Sequence, residues 1–383
     1  MSRVRTRIAA ISLAGLTAFS LAACSAPTDE STSSSNAGSG SGAAGGKDAK
    51  SATSAADMGG MDKLVAAAKK EGALNVIALP PDWANYKEIL EGFQKKYPEI
   101  KITSAQPDAS SADEIAAAKR LKGQKTAPDV FDLGTAVALA NTSMFAPYKV
   151  EKFDKIPAAN KEATGLWVND YAGLMTVGYD SAKVPAPTSL ADLAKPEYKG
   201  KVALNGDPTK AGAAFVAVQM VSVNEGGAVD DPAKGIEYFK KLKSAGNFLP
   251  IDPTPATIES GQTPVVFDWS YNQTAIPAKV KTWELWSPPK ALKTFYNQAV
   301  NKDAPHPAAA RLFQEYLFSP EGQNAWLKGG ATPVLMDAMT ADGTIDKTAA
   351  AALPKAEDVT IPTPDQTDKA KGILATAWPK AMG

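Results

Sequence analysis

The stretch LNVIALPPDWANYKEILEGFQKKYPEIKIT, residues 74–103, reads as strand, helix, strand. Its apolar run from Leu74 to Leu79 is too short for a helix and stops at Pro80-Pro81. From Asp82 the spacing changes: Tyr86, Ile89, Leu90, Phe93 and Tyr97 recur at i, i+3, i+4, i+7, the stripe of a helix with one buried face, which Pro98 ends. Ile100-Lys101-Ile102-Thr103 is the second strand. Working outward, Met61 to Lys70 reads as a helix closed by Gly72, Asp113 to Leu121 as a helix, and Val130-Phe131-Asp132-Leu133 as a third strand. Strand and helix in alternation imply a mainly parallel sheet covered on both faces. The habit recurs downstream. Leu174 to Tyr179, Val202-Ala203-Leu204 and Pro264 to Trp269 are strand-like. Ala211 to Val223 is helical, as is Ala233 to Lys243, which buries Ile236, Phe239 and Leu242. Pro307 to Phe318 and Pro320 to Lys328 are two more helices, with Ser319 a cap and Pro320 at the first helical position, where its missing donor costs nothing. The Ala-, Thr- and Pro-rich end from Met336 to Gly383 reads as two further helices. The expected fold class is α/β with two lobes, which 383 residues are long enough to build.

The N-terminus carries a different signal. Arg3, Arg5 and Arg7 precede an apolar stretch from Ile8 to Ala23, the charged and apolar regions of an export signal. It ends in Leu21-Ala22-Ala23-Cys24, which resembles the lipobox of bacterial lipoproteins. That resemblance implies a signal peptide over 1–23, cleavage before Cys24, and lipid on its thiol holding the chain to the outer face of a membrane. Residues 24–59 are Ser, Gly, Ala and Thr with short charged side chains and no aromatic, too little apolar surface to offset chain entropy. They read as a disordered tether with a reach of roughly 30 to 35 Å. Within it, Gly40-Ser41-Gly42-Ala43-Ala44-Gly45 matches the dinucleotide pattern by coincidence, since no strand precedes it and no apolar helix follows.

Composition excludes several functions. The chain has 41 basic and 41 acidic residues; without the three leader arginines the balance is 38 against 41, or −3, which argues against nucleic acid as a partner. Cys24 is the only cysteine, so no intrachain disulfide forms, and with His306 as the only histidine there is no cysteine- or histidine-rich zinc site and no Cys-His nucleophile. His306, between Pro305 and Pro307, reads as a helix-entry residue. No Gly-x-Ser-x-Gly elbow, HExxH motif or P-loop marks an enzyme. No cofactor or metal is expected.

Phe313-Gln314-Glu315-Tyr316-Leu317-Phe318-Ser319-Pro320-Glu321-Gly322-Gln323, followed by Gly330-Ala331-Thr332-Pro333-Val334, resembles the signature near the end of type II bacterial solute-binding proteins. Leu133-Gly134-Thr135, Phe145-Ala146-Pro147-Tyr148 and Asp192 to Val202 add to it, so the resemblance spans about Met61 to Val334. It is similar to the branch that includes ferric-ion, polyamine, thiamine and aminoethylphosphonate binders. The resemblance implies two lobes joined by crossing strands, 60–170 with 285–383 returning to it and 171–284. It also implies a ligand held between them and a closed form that docks on the permease subunits of an ABC importer. The chain is then a monomeric binding protein that does no covalent chemistry. An adhesion or scaffold lipoprotein and a surface hydrolase are the competing classes.

Independently, ligands in open α/β sheets sit beyond the carboxyl ends of parallel strands. That rule selects Asp82 and Trp83, Gly134 and Thr135, Asp207 and Thr209, and Asp268, Trp269 and Tyr271. An acid stands beside an aromatic ring at Asp82-Trp83, Asp170-Tyr171 and Asp268-Trp269, with Tyr271 two residues on. A cation over a ring gains ~0.5 to 2 kcal/mol and a carboxylate anchors the ammonium, so the pairs suit an amine such as a polyamine. The bland alternative is a cap at Asp82, a hydrophobic staple at Trp83 and hinge packing at Trp269. Asp207-Pro208-Thr209-Lys210-Ala211-Gly212, at a helix start, could instead hold a phosphate, phosphonate or carboxylate, as could Gly134-Thr135, or Asp207 or Thr209 could simply cap. Ferric binders commonly use adjacent tyrosines; no Tyr-Tyr pair occurs, although Tyr171, Tyr179 and Tyr271 could meet in space.

Overall fold

The computed structural model describes residues 46–356 and 358–383. The expected signal peptide, the lipidation site Cys24 and the tether up to residue 45 lie outside the described residues. The end of the expected tether, residues 46–59, is folded onto the body. Ala52 is fully buried, and the buried guanidinium of Arg311 donates from Nε to the Ala52 carbonyl at 2.9 Å and from Nη2 to the Lys50 carbonyl at 3.1 Å. A buried arginine needs acceptors, and these backbone carbonyls supply them whatever the side chains are. Composition could not reveal that.

Helix α1 (Met61–Glu71) ends at Gly72, whose φ of 68° is the left-handed conformation that glycine takes without steric cost. Strands β1 (Ala73–Ile77) and β2 (Lys101–Ala105) pair in parallel, Leu74 opposite Ile102, with α2 (Tyr86–Lys96) as the crossover. The stripe residues Tyr86, Ile89 and Phe93 are fully buried. The helix begins at Tyr86 rather than Asp82, because Ala84 and Asn85 hold φ of 44° and 66°. A Ser110–Asp113 capping box starts α3 (Ser111–Arg120), and β3 (Val130–Gly134) follows. Asp129 ties β3 to β1: its N–H donates to the Asn75 carbonyl at 2.9 Å, and its Oδ2 accepts from Asn75 N–H at 2.6 Å.

After α4 (Thr135–Ala140) and β4 (Phe145–Ala146), the 13-residue strand β5 (Val168–Asp180), buried throughout, carries the chain across to a second lobe. There lie β6 (Val202–Leu204), α5 (Gly212–Asn224), α6 (Ala233–Ala245), α7 (Pro255–Glu259), β7 (Val265–Trp269), α8 (Ser270–Ala275) and β8 (Trp283–Trp286). Helix α5 is apolar on all sides and buried from Ala213 to Ser222, as expected of a helix enclosed between a sheet and α6. Strand β9 (Lys290–Asn301) returns, pairing antiparallel with β5 and β3. The first half of β5 thus pairs with β9, and its second half with β7 and β8. Parallel pairing needs a crossover, which β1–β2 and β6–β7 have; β5 and β9 run past each other from lobe to lobe, so the sheet is mixed.

In the first lobe, α9 (Pro307–Leu317) packs on α1, and α10 (Pro320–Lys328) starts at Ser319, whose Oγ accepts from Gly322 N–H. Strand β10 (Thr332–Pro333) pairs with β5. The C-terminal segment holds more than two helices: α11 (Met336–Asp342), α12 (Lys347–Ala351), β11 (Asp358–Thr360) and α13 (Pro364–Met382). Helix α13 does not return to the first lobe alone. Trp378 lies edge-on to Phe239 of α6 at 5.8 Å, while Lys371 Nζ donates to the Ala136 carbonyl of α4 at 2.5 Å.

Candidate functional site

The turns after β1 and β2, the start of α3 and Asp132 of β3 face the β6–α5 turn, α7 and α8 across a cleft of about 810 Å³. Among the described residues, the four non-glycines with positive φ, Ala78 (54°), Ala84 (44°), Asn85 (66°) and Gln106 (44°), all lie on those two first-lobe turns. Each such conformation costs roughly 1–2 kcal/mol, so the turns are held by contacts elsewhere. Trp83 Nε1 donates to Tyr171 Oη at 2.8 Å, and Asn85 Nδ2 donates to the Ala325 carbonyl at 2.8 Å.

Charge in the cleft is one-sided. Nine carboxyl groups line it, Asp82, Asp108, Asp113, Glu114, Asp132, Asp207, Asp252, Glu259 and Asp268, against Lys210 and Lys279. A concave wall of one sign concentrates ions of the other. Three of these acids are buried, Glu114 and Asp132 in the first lobe and Asp268 in the second. Asp268 Oδ1 accepts from Trp269 N–H at 2.7 Å, and Asn272 Nδ2 donates to both of its oxygens, at 3.2 and 3.0 Å. Asp132 Oδ2 accepts from the hydroxyls of Tyr86 at 2.7 Å and Tyr171 at 3.0 Å. Burial pushes each of these two carboxyls up to about 6, against the pull of their hydrogen-bond donors. Glu114, whose Oε2 accepts from Asp132 N–H at 3.2 Å, is pushed well above the usual range by burial and then by the charge of Asp132.

The floor is aromatic and built from both lobes and the strands between them. The Trp83 ring lies edge-on to Tyr271 at 5.5 Å and to Tyr296 at 5.7 Å, while Tyr171 stacks on Tyr296 at 5.6 Å. Trp83 and Tyr296 reach the cleft. Carboxyl groups beside aromatic rings are chemistry that can hold a cation.

The structure brings Asp82, Trp83, Asp207 and Asp268 to one cleft, with Asp82 at its exposed rim. Gly134, Thr135, Thr209 and Trp269 instead line a neighbouring cavity of about 30 Å³. Thr135 Oγ1 is spent on the Phe295 carbonyl at 3.1 Å, and Thr209 N–H and Oγ1 both donate to Asp207 Oδ1 at 2.8 Å, a local turn. Asp170, Tyr171 and Tyr271 are fully buried behind the floor, and the Tyr271 hydroxyl has no hydrogen-bond partner among the described residues. Sequence reasoning missed Glu114, Asp132, Asn205 and Tyr296 as cleft residues. A signal for Asp132 was available, since a carboxylate inside Val130-Phe131-Asp132-Leu133 is rare in a buried strand; Tyr296 offered none. His306 stands at the entry of α9, its Nδ1 2.9 Å from Asp129 Oδ2.

The family described as bacterial extracellular solute-binding protein matches residues 128–360. Solved structures share the fold. The periplasmic binding protein AgtB from A.tumefacien R10, in complex with agropinic acid, is similar with a TM-score of 0.64 at 17% identity, over 81% of this chain and 98% of that one. AfuA from Actinobacillus pleuropneumoniae, with fructose-6-phosphate bound, gives 0.61 at 17% identity, over 80% and 97%. Iron-bound HitA from Pseudomonas aeruginosa gives 0.57 at 22% identity, over 81% and 99%.

Proposed function

Because this chain belongs to the bacterial extracellular solute-binding protein family, with the type II periplasmic-binding-protein fold, we propose that it captures a small organic cation between its lobes, an amine such as a polyamine being the first choice. The family supplies the binding subunits of ABC importers, which carry ligand to a permease and are not enzymes. The observation that carries the ligand reading is the pair of buried carboxyl groups, Asp132 and Asp268, placed one on each lobe beside Trp83 and Tyr296, in a wall where acids outnumber lysines. An ammonium bridging them would supply the positive charge that the protein does not, and would hold the lobes together. Asp82 and Asp207 contribute at the rim. Asp170, Tyr171, Trp269 and Tyr271 support the floor from behind, and Gly134, Thr135 and Thr209 shape the junction of the lobes. Thiamine, also a cation, fits the same logic. A phosphonate is less favoured by the acidic wall, and for ferric ion no group of three or more His, Cys, Asp or Glu side chains among the described residues is arranged as a metal site.

Membrane attachment through lipid on Cys24, docking of the closed form on permease subunits and a monomeric state complete the proposal. Thermal unfolding with putrescine, spermidine, thiamine, 2-aminoethylphosphonate and ferric citrate tests it. A ligand present at 100 times its Kd stabilises the native state by about 2.7 kcal/mol, so an amine should raise the midpoint. A rise with the phosphonate or the ferric complex alone would replace the amine reading.

A further inference from the structure

Beneath the cleft floor two acids meet without a base. Asp132 and Asp170 are both buried, and one chain of donors joins them: Gln298 Nε2 donates both to Asp170 Oδ2 and to Tyr86 Oη at 3.0 Å, and Tyr86 Oη donates to Asp132 Oδ2 at 2.7 Å, which leaves the two carboxyls side-chain hydrogen-bond neighbours. The surrounding donors are already assigned. Tyr86 and Tyr171 hydroxyls donate to Asp132 Oδ2, Tyr171 N–H donates to Asp170 Oδ1 at 2.6 Å, and Gln298 Nε2 donates to Asp170 Oδ2 at 3.0 Å. Asp132 Oδ1 is left buried with no N–H or hydroxyl donor among the described residues. The titratable groups that act on Asp132 are Tyr86 from α2, Glu114 from α3, Asp170 and Tyr171 from β5, Tyr296 from β9 and Tyr271 from α8. None of them is a lysine or arginine. Two ionised carboxylates are both acceptors only and cannot bond to each other; one proton between them makes the contact favourable and halves the buried charge.

We propose that Asp170 is a carboxylic acid at neutral pH, a positioning residue that donates to Asp132, so that Asp132 alone presents charge to the cleft and a cationic ligand competes with a proton for it. Asp132 is then the specificity-determining carboxylate of the first lobe. The arrangement of carboxyls stands on the buried geometry, and its consequence for the ligand rests on the amine reading above. Burial, then the charge of Asp132, holds the Asp170 carboxyl well above the carboxylate range, while burial sets Asp132 at about 6. Protonation of Asp132 removes the charge that an ammonium needs, so capture weakens as the pH falls through that value. The loss approaches roughly tenfold per pH unit for one competing proton.

Infrared spectra of the ligand-free full chain test the pair without any ligand. At neutral pH the wild type should show protonated-carboxyl absorption that Asp170→Asn, whose amide keeps a donor for Asp132, loses in part, the remainder coming from buried Glu114. A second carboxyl, lost in Asp132→Asn, should titrate near pH 6. If Asp132→Asn does not fold, the wild-type and Asp170→Asn spectra still decide. A wild-type minus Asp170→Asn difference spectrum with no protonated-carboxyl band at neutral pH overturns the proposal. Putrescine binding, followed by calorimetry from pH 5 to 8, then reads the consequence. Affinity that falls with pH in the wild type and in Asp170→Asn supports proton competition, and flat affinity overturns it. If putrescine and spermidine fail to bind at every pH while the Asp170 band is present, the amine reading falls and the carboxyl pair stands.

Discussion

Gly134→Ala should weaken ligand capture while leaving the ligand-free fold close to the wild type. Gly134 ends β3 in the first lobe and Gly212 starts α5 in the second, and their backbones touch where the lobes meet. A Cβ built on Gly134 lies 3.1 Å from Gly212 Cα, and one built on Gly212 lies 3.3 Å from Gly134 Cα and 3.2 Å from Tyr296 Oη. Ordinary carbon contacts are about 3.5–4.0 Å, so the lobes must part by a few tenths of an ångström at this point. The Gly134 φ of −57° suits any residue, so the effect comes from space alone. Overpacking of this kind costs typically 1–3 kcal/mol. An open form relieves the clash, so the cost falls on the closed form, and each 1.4 kcal/mol is tenfold in Kd. Affinity for a ligand found by thermal shift should therefore drop by about 5- to 150-fold in calorimetry, with small-angle scattering showing a more open ligand-free protein. The double variant Gly134→Ala/Gly212→Ala should fall short of additivity, because once the lobes have parted the second methyl meets less. Unchanged affinity with a lowered unfolding midpoint would refute the reasoning, because the contact would then be ordinary core packing.

Other perturbations read different parts of the argument. Asp268→Asn keeps the shape and the Trp269 N–H contact but removes the second lobe's buried carboxyl from the cleft; loss of a charge-assisted hydrogen bond worth about 1.5–3 kcal/mol should weaken an amine by about 10- to 150-fold in calorimetry, and a neutral effect would remove this residue from the site. Arg311→Met should strand the carbonyls of Lys50 and Ala52 and destabilise by roughly 1–3 kcal/mol for each acceptor left buried and unpaired, with protease cleavage appearing within residues 46–53; resistance to cleavage would show that the segment is held by other contacts. The Asp129 hydrogen bond, its largest influence, raises the pKa of His306. A group raised in the folded state contributes stability below its unfolded value, ~6.5 for histidine, and loses it as pH rises through the folded value. The midpoint difference between wild type and His306→Asn should therefore shrink from pH 6 to pH 8, and a difference that grows would contradict the ion pair.

Much of the fold was legible because it rests on local periodicity. The stripe Tyr86, Ile89, Phe93 needs only a helix and a core, Gly72 only a left-handed turn, and Ser319-Pro320 only a helix start, and all three behave as their chemistry requires. The β1–β2 parallel pair follows from a helix between two apolar runs. The start of α2 escaped prediction, since Ala84 and Asn85 hold left-handed angles that no local preference of alanine would choose. Half of the candidate site was legible for a similar reason: residues directly after parallel strands must approach a cleft, which selects Trp83, Asp207 and Asp268 without coordinates.

What the sequence alone determined, then, is which residues are strand or helix, that they alternate, and that acids and aromatic rings stand at strand ends. Only the tertiary structure decided which of those acids lose their water and which rings face one another. Burial and pairing are properties of distant segments meeting: Asp132 is shifted upward by burial, against the pull of Tyr86, Tyr171 and Asp170, which meet it from up to 46 positions away, and Tyr296 reaches the cleft only because β9 returns beside β5. Periodicity along a chain records the face that a residue shows its own element, and carries no record of the partner that arrives from elsewhere.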